Sequence, residues 1–533
     1  MTGRDSVLWL LAMCSLGTAA WQGNTQPKLI TLLGSDNKMH RFSGNNTHPD
    51  QFRLIVQDEQ NLLVGGRNLV HNLTLTDLTE IQKLAWVSPD NDRTMCSLKG
   101  QDFEQCQNYI RVLIKISTGR FLICGTNAYN PVCRVYASQP SGYFMEREWS
   151  GRGSCPYGPN VKSTAVFVDG ELYSGTYADF AGFDPVIFRE PLRTAQFDSN
   201  TFNHPVDFVN SFAHGDYVYF FFREKAVECT NCGNTIYSIV ARVCKSDKGY
   251  RSFTSFLKTR LTCSVPGEDF YFDQIESTSD VIEGRYGAES AEMVYAVFNA
   301  LNNGSAVCAF RLQDISKAFD GPFAGVTEKV PDPRPGKCVN DSVPIPSATR
   351  NFIQKHPRMQ QSADSFFGRP IVTQVTSNYR FTHIAVDPQV KTPGGKAYDV
   401  LFIGTDNGKV IKAVNAESAD NPKKVNSVVI EEIQVFPPAV AITSLKIVRH
   451  ESLTEPRLIV VSNSEIQSIK LHRCDSNILV NNSCSVCVGL QDPHCAWDKQ
   501  AQKCATKNSA TRWNDENSFY QSIATGLHGS CSI

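Results

Sequence analysis

FLICGTN (121–127), an apolar run that climbs into a turn-forming Gly-Thr-Asn, is one of seven such stretches in this 533-residue chain. The others are LLVGGRN (62–68), LYSGTYA (172–178), VYFFFRE (218–224), VYAVFNA (294–300), LFIGTDN (401–407) and IVVSNSE (459–465). Their starts lie 46 to 107 residues apart. Such gaps are longer than a helical solenoid repeat and suit four-stranded sheets, some of them enlarged by insertions. The chain also exceeds the size at which one layered core keeps growing, which favours a radially repeated domain. The fold class is therefore read as all-β, a seven-bladed β-propeller.

Sequence around these stretches supplies the remaining strands. FRLIVQ (52–57) precedes the first stretch, and YIRVLIKIS (109–117) precedes the second across a turn at Thr118 and Gly119. In TAVFVDGELYSGT (164–176), Asp169 and Gly170 make a two-residue hairpin turn. Gly215 and Asp216 occupy the turn in FVNSFAHGDYVYFFFRE (208–224), and Asn407 and Gly408 mark one in YDVLFIGTDNGKVIKAV (398–414). From about 311 to 370 the pattern breaks into a helix-like stretch (312–319) and a proline-rich run at Pro331, Pro333 and Pro335. An insertion of this kind is expected to project and to be available for binding. KLITLL (28–33) is expected to complete the last blade beside IQSIKL (466–471), leaving no open edge.

Lys and Arg total 52 against 53 for Asp and Glu, so no global field draws the chain to nucleic acid or an anionic membrane. Residues 1–20 combine Arg4, an apolar stretch (7–16) and small residues into the pattern of a cleaved secretory signal, ahead of a propeller domain spanning 21–473. No later stretch is long and apolar enough to span a bilayer. An extracellular location is expected, secreted or as the ectodomain of a membrane protein, and the end at Ile533 reads as a truncation. Eighteen cysteines then mean disulfides. Without Cys14 seventeen remain, so one thiol is free or bonded to another chain. Asn45, Asn72, Asn303, Asn340 and Asn481 each open a glycosylation sequon.

From Cys474 to the end, cysteines are dense and apolar residues few, the signature of a small module (474–533) that must be stapled. Cys484 and Cys487 have the spacing of a zinc or redox pair, but in an oxidising compartment disulfides are the better reading. Cys229 and Cys232 repeat that spacing after a strand rather than at the start of a helix, which argues against redox catalysis. His204, His214 and His383 stand alone, and no nucleophile elbow, phosphate loop or metalloprotease helix is present. The expectation is a non-enzyme with no catalytic residue, no metal, no cofactor and no small-molecule substrate.

CGTNAYNPVC (124–133), SGTYADFAGFDPVIFRE (174–190), YVYFFFREKAVE (217–228), RVCKSDKG (242–249), FLKTRLTCSVPG (256–267), PRPGKC (333–338) and DPHCAWD (492–498) resemble the semaphorins over nearly the whole mature chain. SCPYGP and the NCGNTIYSIVARVC stretch make it most like an invertebrate transmembrane (class 1) member. The resemblance implies a sema propeller with an inserted extrusion, followed by the PSI module of plexins and integrins. It also implies disulfides Cys96 to Cys106, Cys124 to Cys133, Cys244 to Cys338 and Cys263 to Cys308 in the propeller. In the module it implies Cys474 to Cys495, Cys484 to Cys531 and Cys487 to Cys504. Cys244 to Cys338 would tie the insertion back to its blade. Cys155, Cys229 and Cys232 are left over, with one internal bond expected among them and one sulfur free or linking two subunits.

Function follows from the same resemblance: an axon-guidance ligand that binds and dimerises a plexin receptor, itself a homodimer. Two receptor sites at a fixed distance give avidity beyond one weak interface. The receptor face is expected at the edge of blades three and four, on loops around Asp179, Phe180, Phe183 and Asp184 and around Asp207, Asn210 and His214. Phe180 and Phe183 are candidate aromatic anchors, with packing between blades as the other reading. Dimer contacts are expected at the top loops and the insertion. The rival classes are a propeller-type hydrolase and a matrix-binding structural glycoprotein.

Overall fold

In the computed structural model the seven stretches are the second strands of seven sheets. The structure describes residues 26–33, 40–45, 48–196, 198–226, 235–249, 251–268, 270–301, 304–339, 345–474, 483–507 and 513–531. The secretory signal expected at 1–20 lies outside them, as do Cys229, Cys232, Asn303, Asn340 and Asn481. The first strands of the blades are Leu54–Asp58, Ile110–Ser117, Thr164–Val168, Val206–His214, Gln274–Thr278, Phe381–Lys391 and Ile442–Val448. Each packs against the next and the seventh against the first, so they ring an axial channel. Polar side chains stitch the ring: Thr443 Oγ1 donates to the Phe52 carbonyl at 2.8 Å, and Asn210 Nδ2 to Thr278 Oγ1 at 2.7 Å.

The apolar runs are continuous because each second strand is buried on both faces. In Tyr217–Lys225, Val218, Phe220 and Phe222 join Tyr173 and Ile187 of blade three. Tyr219 and Phe221 point the other way, into a core shared with Val294 and Phe298 of blade five. Truncating Phe222 to Ala in such a site costs about 3–5 kcal/mol. The tight hairpins keep the strands in register. At Asp169 and Gly170 both residues have positive φ, 53° and 83°, as the type I′ turn demands.

Closure differs from expectation. His40–Ser43, not KLITLL, pairs antiparallel with Glu465–Lys470 and completes blade seven. Leu29–Leu32 instead adds as a parallel fifth strand to Ser427–Gln434 of blade six. Side-chain placement explains the assignment. Thr31 is buried and donates to Glu431 Oε1 at 2.5 Å, and Leu33 enters the core between blades six and seven. Phe42 of the closing strand meets Phe52 at the junction of blades seven and one.

The insertion leaves blade five after Gly304–Arg311 and returns at Val372–Val375. Its helices Leu312–Asp320 and Ser347–Lys355 do not simply project. They bury Ile315, Phe319, Phe352 and Ile353 in the core shared by blades four and five. Ala363–Asp364 pairs with the outer strand of blade four, covering its edge. The disulfide Cys244–Cys338 therefore links the insertion to blade four, not to the blade it leaves. The other bonds are Cys96–Cys106, Cys124–Cys133, Cys263–Cys308, Cys474–Cys495, Cys484–Cys531 and Cys487–Cys504. Cys155 is unbonded and 0% exposed, and burial pushes its thiol up to about 12. A sulfur so enclosed does not reach a second subunit, so of the two alternatives Cys155 takes the free one. Asn72 is also a correction: at 6% exposure within Leu69–Thr74 it has no room for a glycan, whereas Asn45 is exposed.

The small module builds a three-stranded sheet from Cys495–Asp498, Lys503–Thr506 and Phe519–Tyr520. It seats on blade six through Ile523, which packs among Tyr398, Val414 and Val428. Lys412 of blade six, 0% exposed, pairs with Asp492 of the module. Burial alone would raise the Asp492 carboxyl, but Lys412 and His494 hold it far below the usual range. His494 Nε2 also meets Asp387 Oδ2 at 2.9 Å, and Trp513 Nε1 donates to the Lys391 carbonyl at 3.0 Å. Module and propeller thus share a charged, largely buried seam.

Candidate functional site

Strands alternate in direction from the channel outward, so connections from second to third strand and from one blade to the next emerge on the same face. On that face, blades two to four gather the segments 86–109, 126–131, 178–184 and 194–205. The helix Asp90–Leu98 is pinned by Cys96–Cys106 and by Asp92, whose oxygens accept from Asn127 Nδ2 at 2.9 Å and Asn130 Nδ2 at 3.2 Å. Asn127, Ala128 and Tyr129 are three consecutive residues with positive φ, 43°, 52° and 59°. Strained backbone of this kind persists only where its surroundings over-determine it. Here Asn108 Oδ1 accepts from the Asn127 N–H at 3.0 Å. It also sits 2.0 Å from where a Cβ on Gly125 would be, so only glycine fits there.

That turn presents Tyr129 to the loop of blade three. Asp179 organises the loop, its carboxylate accepting from the N–H groups of Phe183 at 3.0 Å and Asp184 at 2.8 Å. The two candidate anchors part company. Phe180 is partly buried, its ring 5.0 Å from Tyr129 and 6.4 Å from Tyr157, with Lys99 Nζ 5.4 Å above it. Phe183 is 63% exposed, its inner edge resting on His204 at 5.7 Å. Burial pushes the Tyr129 and Tyr157 phenols upward, so this patch carries no phenolate. Asp184 is 1% exposed and pairs with Arg193 Nη2 at 2.6 Å, a structural contact.

Asp207, Asn210 and His214 do not lie on a loop. They belong to Val206–His214, the innermost strand of blade four, because the Gly215–Asp216 turn makes everything before it a ladder partner of Tyr217–Lys225. Asp207 Oδ2 accepts from Arg223 Nη2 at 2.8 Å, and His214 Nε2 meets Glu292 Oε1 at 2.8 Å. With Asn210 bonded to Thr278, all three are committed to their own or the next blade. Residues that sequence reasoning missed on the loop face are Met95, Leu98 and Phe103, which are 45%, 76% and 67% exposed. Leu98 and Phe103 inside a short disulfide loop, with Met95 just before it, were the signal available. Cys474, Asp492 and Cys495 have ligand atoms close together, but the two sulfurs are bonded to each other and are not free to bind an ion.

The face is thus a partly aromatic surface, and its four segments carry seven carboxylates (Asp90, Asp92, Asp102, Glu104, Asp179, Asp184 and Asp198) against two basic side chains, Arg93 and Lys99. A Sema domain model matches residues 275–449 and a plexin repeat model residues 473–532. Semaphorin-1A of Schistocerca americana is 49% identical, covering 99% of this chain and 74% of its own length. Semaphorin-1A of Drosophila melanogaster is 50% identical over 99% of this chain, which spans 62% of that relative. A chain of the solved complex of Drosophila Plexin A with Semaphorin 1b is 42% identical, covering 91% of this chain and 96% of its own, with a TM-score of 0.81.

Proposed function

This chain belongs to the semaphorin family, and from that footing we propose that it is an extracellular guidance ligand that binds a plexin receptor through its propeller and catalyses nothing. The observation that carries this reading is the likeness, over 91% of the chain, to a protein solved together with a plexin. In this reading residues 21–473 are the sema domain, 474–533 the PSI module and 1–20 a cleaved signal. The receptor seats on the loop face of blades two to four, where Phe183 supplies an exposed aromatic anchor and Leu98 and Phe103 extend the apolar patch. Asp179 and Phe180 hold the anchor's loop in shape, and Asp184 fixes its base.

The ligand acts as a homodimer, presenting two such faces at a fixed separation so that two receptors are held together. With Cys155 buried, the dimer is held by non-covalent contacts as far as the described cysteines go. The test is binding of the full chain to an immobilised plexin ectodomain, with the mass of the free ligand followed by light scattering. The expected result is specific binding that strengthens as the dimer forms. Absence of binding at any concentration would overturn the proposal.

A further inference from the structure

Two histidines meet at the seam between propeller and small module, their rings 6.0 Å apart. Geometry gives them opposite charge states. His494 of the module turns Nε2 to Asp387 Oδ2 at 2.9 Å and Nδ1 to Asp492 Oδ1 at 3.2 Å. Carboxylates only accept, so both nitrogens carry protons and the ring is an imidazolium. His472, just past the last strand of blade seven, is 6% exposed and spends Nε2 on Glu455 Oε2 at 3.0 Å. Its Nδ1 is enclosed and has no partner among the described residues. A proton there would bury an unanswered N–H and set a second cation beside the first.

The neighbouring charges offer that proton no relief. Glu455 is already shared with Lys470 at 3.2 Å and Arg457 at 4.0 Å. Asp387 is paired with Arg449, and Asp492 with Lys412. Arg473, next in the chain, lies 3.7 Å from Glu431. Lys391 and Lys507 add positive charge in the wall of a cavity of about 420 Å³ that both histidines and Trp513 also line. Burial holds His472 below the usual imidazole value, and His494 and Lys412 add to that against the pull of Glu455. Burial and Lys412 push His494 down, but Asp387 and Asp492 outweigh them and raise it, so it stays charged in acid. Burial works to raise the carboxyls as well, yet the cations on them prevail: Glu455 is held down to about 2, and Asp387 and Asp492 lie below the usual range. In mild acid, His472 is therefore the member of this cluster that changes charge.

We propose that the seat of the small module on the propeller is an acid-sensitive joint, tight at neutral pH and loosened in mild acid when His472 takes a proton and the adjoining cavity admits water to the charged ring. Such a joint is a histidine switch acting on a two-state contact. Unseated, His472 titrates near its ordinary value of about 6.5, whereas seated it resists the proton. Its contribution to the seat is complete above that ordinary value and is lost as pH falls through the lowered one. The proposal stands apart from receptor binding, since it needs only the free chain.

The test is hydrogen exchange of the full chain at about pH 7 and about pH 5.5, with rates corrected for the intrinsic effect of pH. Protection across 490–498 and 519–526 of the module is expected to fall about tenfold, the limit for one proton at one unit below about 6.5, while blade three keeps its own. His472→Gln cannot take up the proton and is expected to hold the same protection at both values. Should that variant fail to fold, His472→Phe fills the same place without titrating and is expected to behave likewise. A module equally protected at both values in the unmodified chain, a fall as large in the variant, or a loss shared by blade three overturns the proposal.

Discussion

The loop 178–184 and the strand Val206–His214 are neighbours in sequence and in space, yet their side chains are spent differently. The loop's polar groups are satisfied locally, by Asp179 on its own N–H groups, which leaves Phe183 free to face solvent. The strand's polar groups reach outward to Arg223, Thr278 and Glu292, so none is spare. A surface for a partner arises where a segment closes its own hydrogen bonds, and a strut arises where it closes those of its neighbours.

Substitutions in the two segments test that contrast. The largest effect is expected at the base of the loop: Asp184→Ala removes one member of a nearly buried pair and should cost about 3 kcal/mol, read by denaturant unfolding. Next is Glu276→Gln, which unties Arg223 and Lys162 and should cost about 1.5–3 kcal/mol at pH 7. Burial pushes the Glu276 carboxyl up, but Arg223 and Lys162 outweigh it and the net shift is downward. Its contribution is therefore complete above the usual carboxylate value of about 4.3 and fades as pH falls through the lowered one. The gap between Glu276→Gln and the unmodified chain should close in acid, and a gap that widened there would contradict the network. Asn210→Ala, which strands Thr278, should cost about 1 kcal/mol. His214→Ala, at a half-exposed pair, should stay within about 0.5 kcal/mol of the unmodified chain in the same unfolding assay.

Much of the architecture was legible because propeller strands repeat their grammar. Buried second strands carry apolar runs, and Asp169–Gly170 and Gly215–Asp216 announce hairpins by their chemistry. The same Gly215–Asp216 turn already required 206–214 to be a strand, so the expectation of a loop there came from placing a family's interface region without its register. KLITLL was misplaced for a related reason. Two N-terminal segments add to sheet edges, and apolar content favoured the wrong one, while the closing strand HRFS contributes mainly Phe42 to the core. The path of the insertion across blade four was hidden because its helices bury few residues each, and their partners lie far away in sequence. The disulfide pairs came from family likeness, since spacing alone leaves many connectivities open.

A receptor surface proposed on the loop face of blades two to four, with Phe183 at its exposed centre, can be tested by binding. The direct measurement is the affinity of an immobilised plexin ectodomain for the unmodified chain and for Phe183→Asp, with thermal midpoints recorded for both. Midpoints within about 2 °C of each other are expected, with a loss of affinity of at least about 2 kcal/mol, as an aromatic hot spot gives. Equal affinity at equal stability would contradict it.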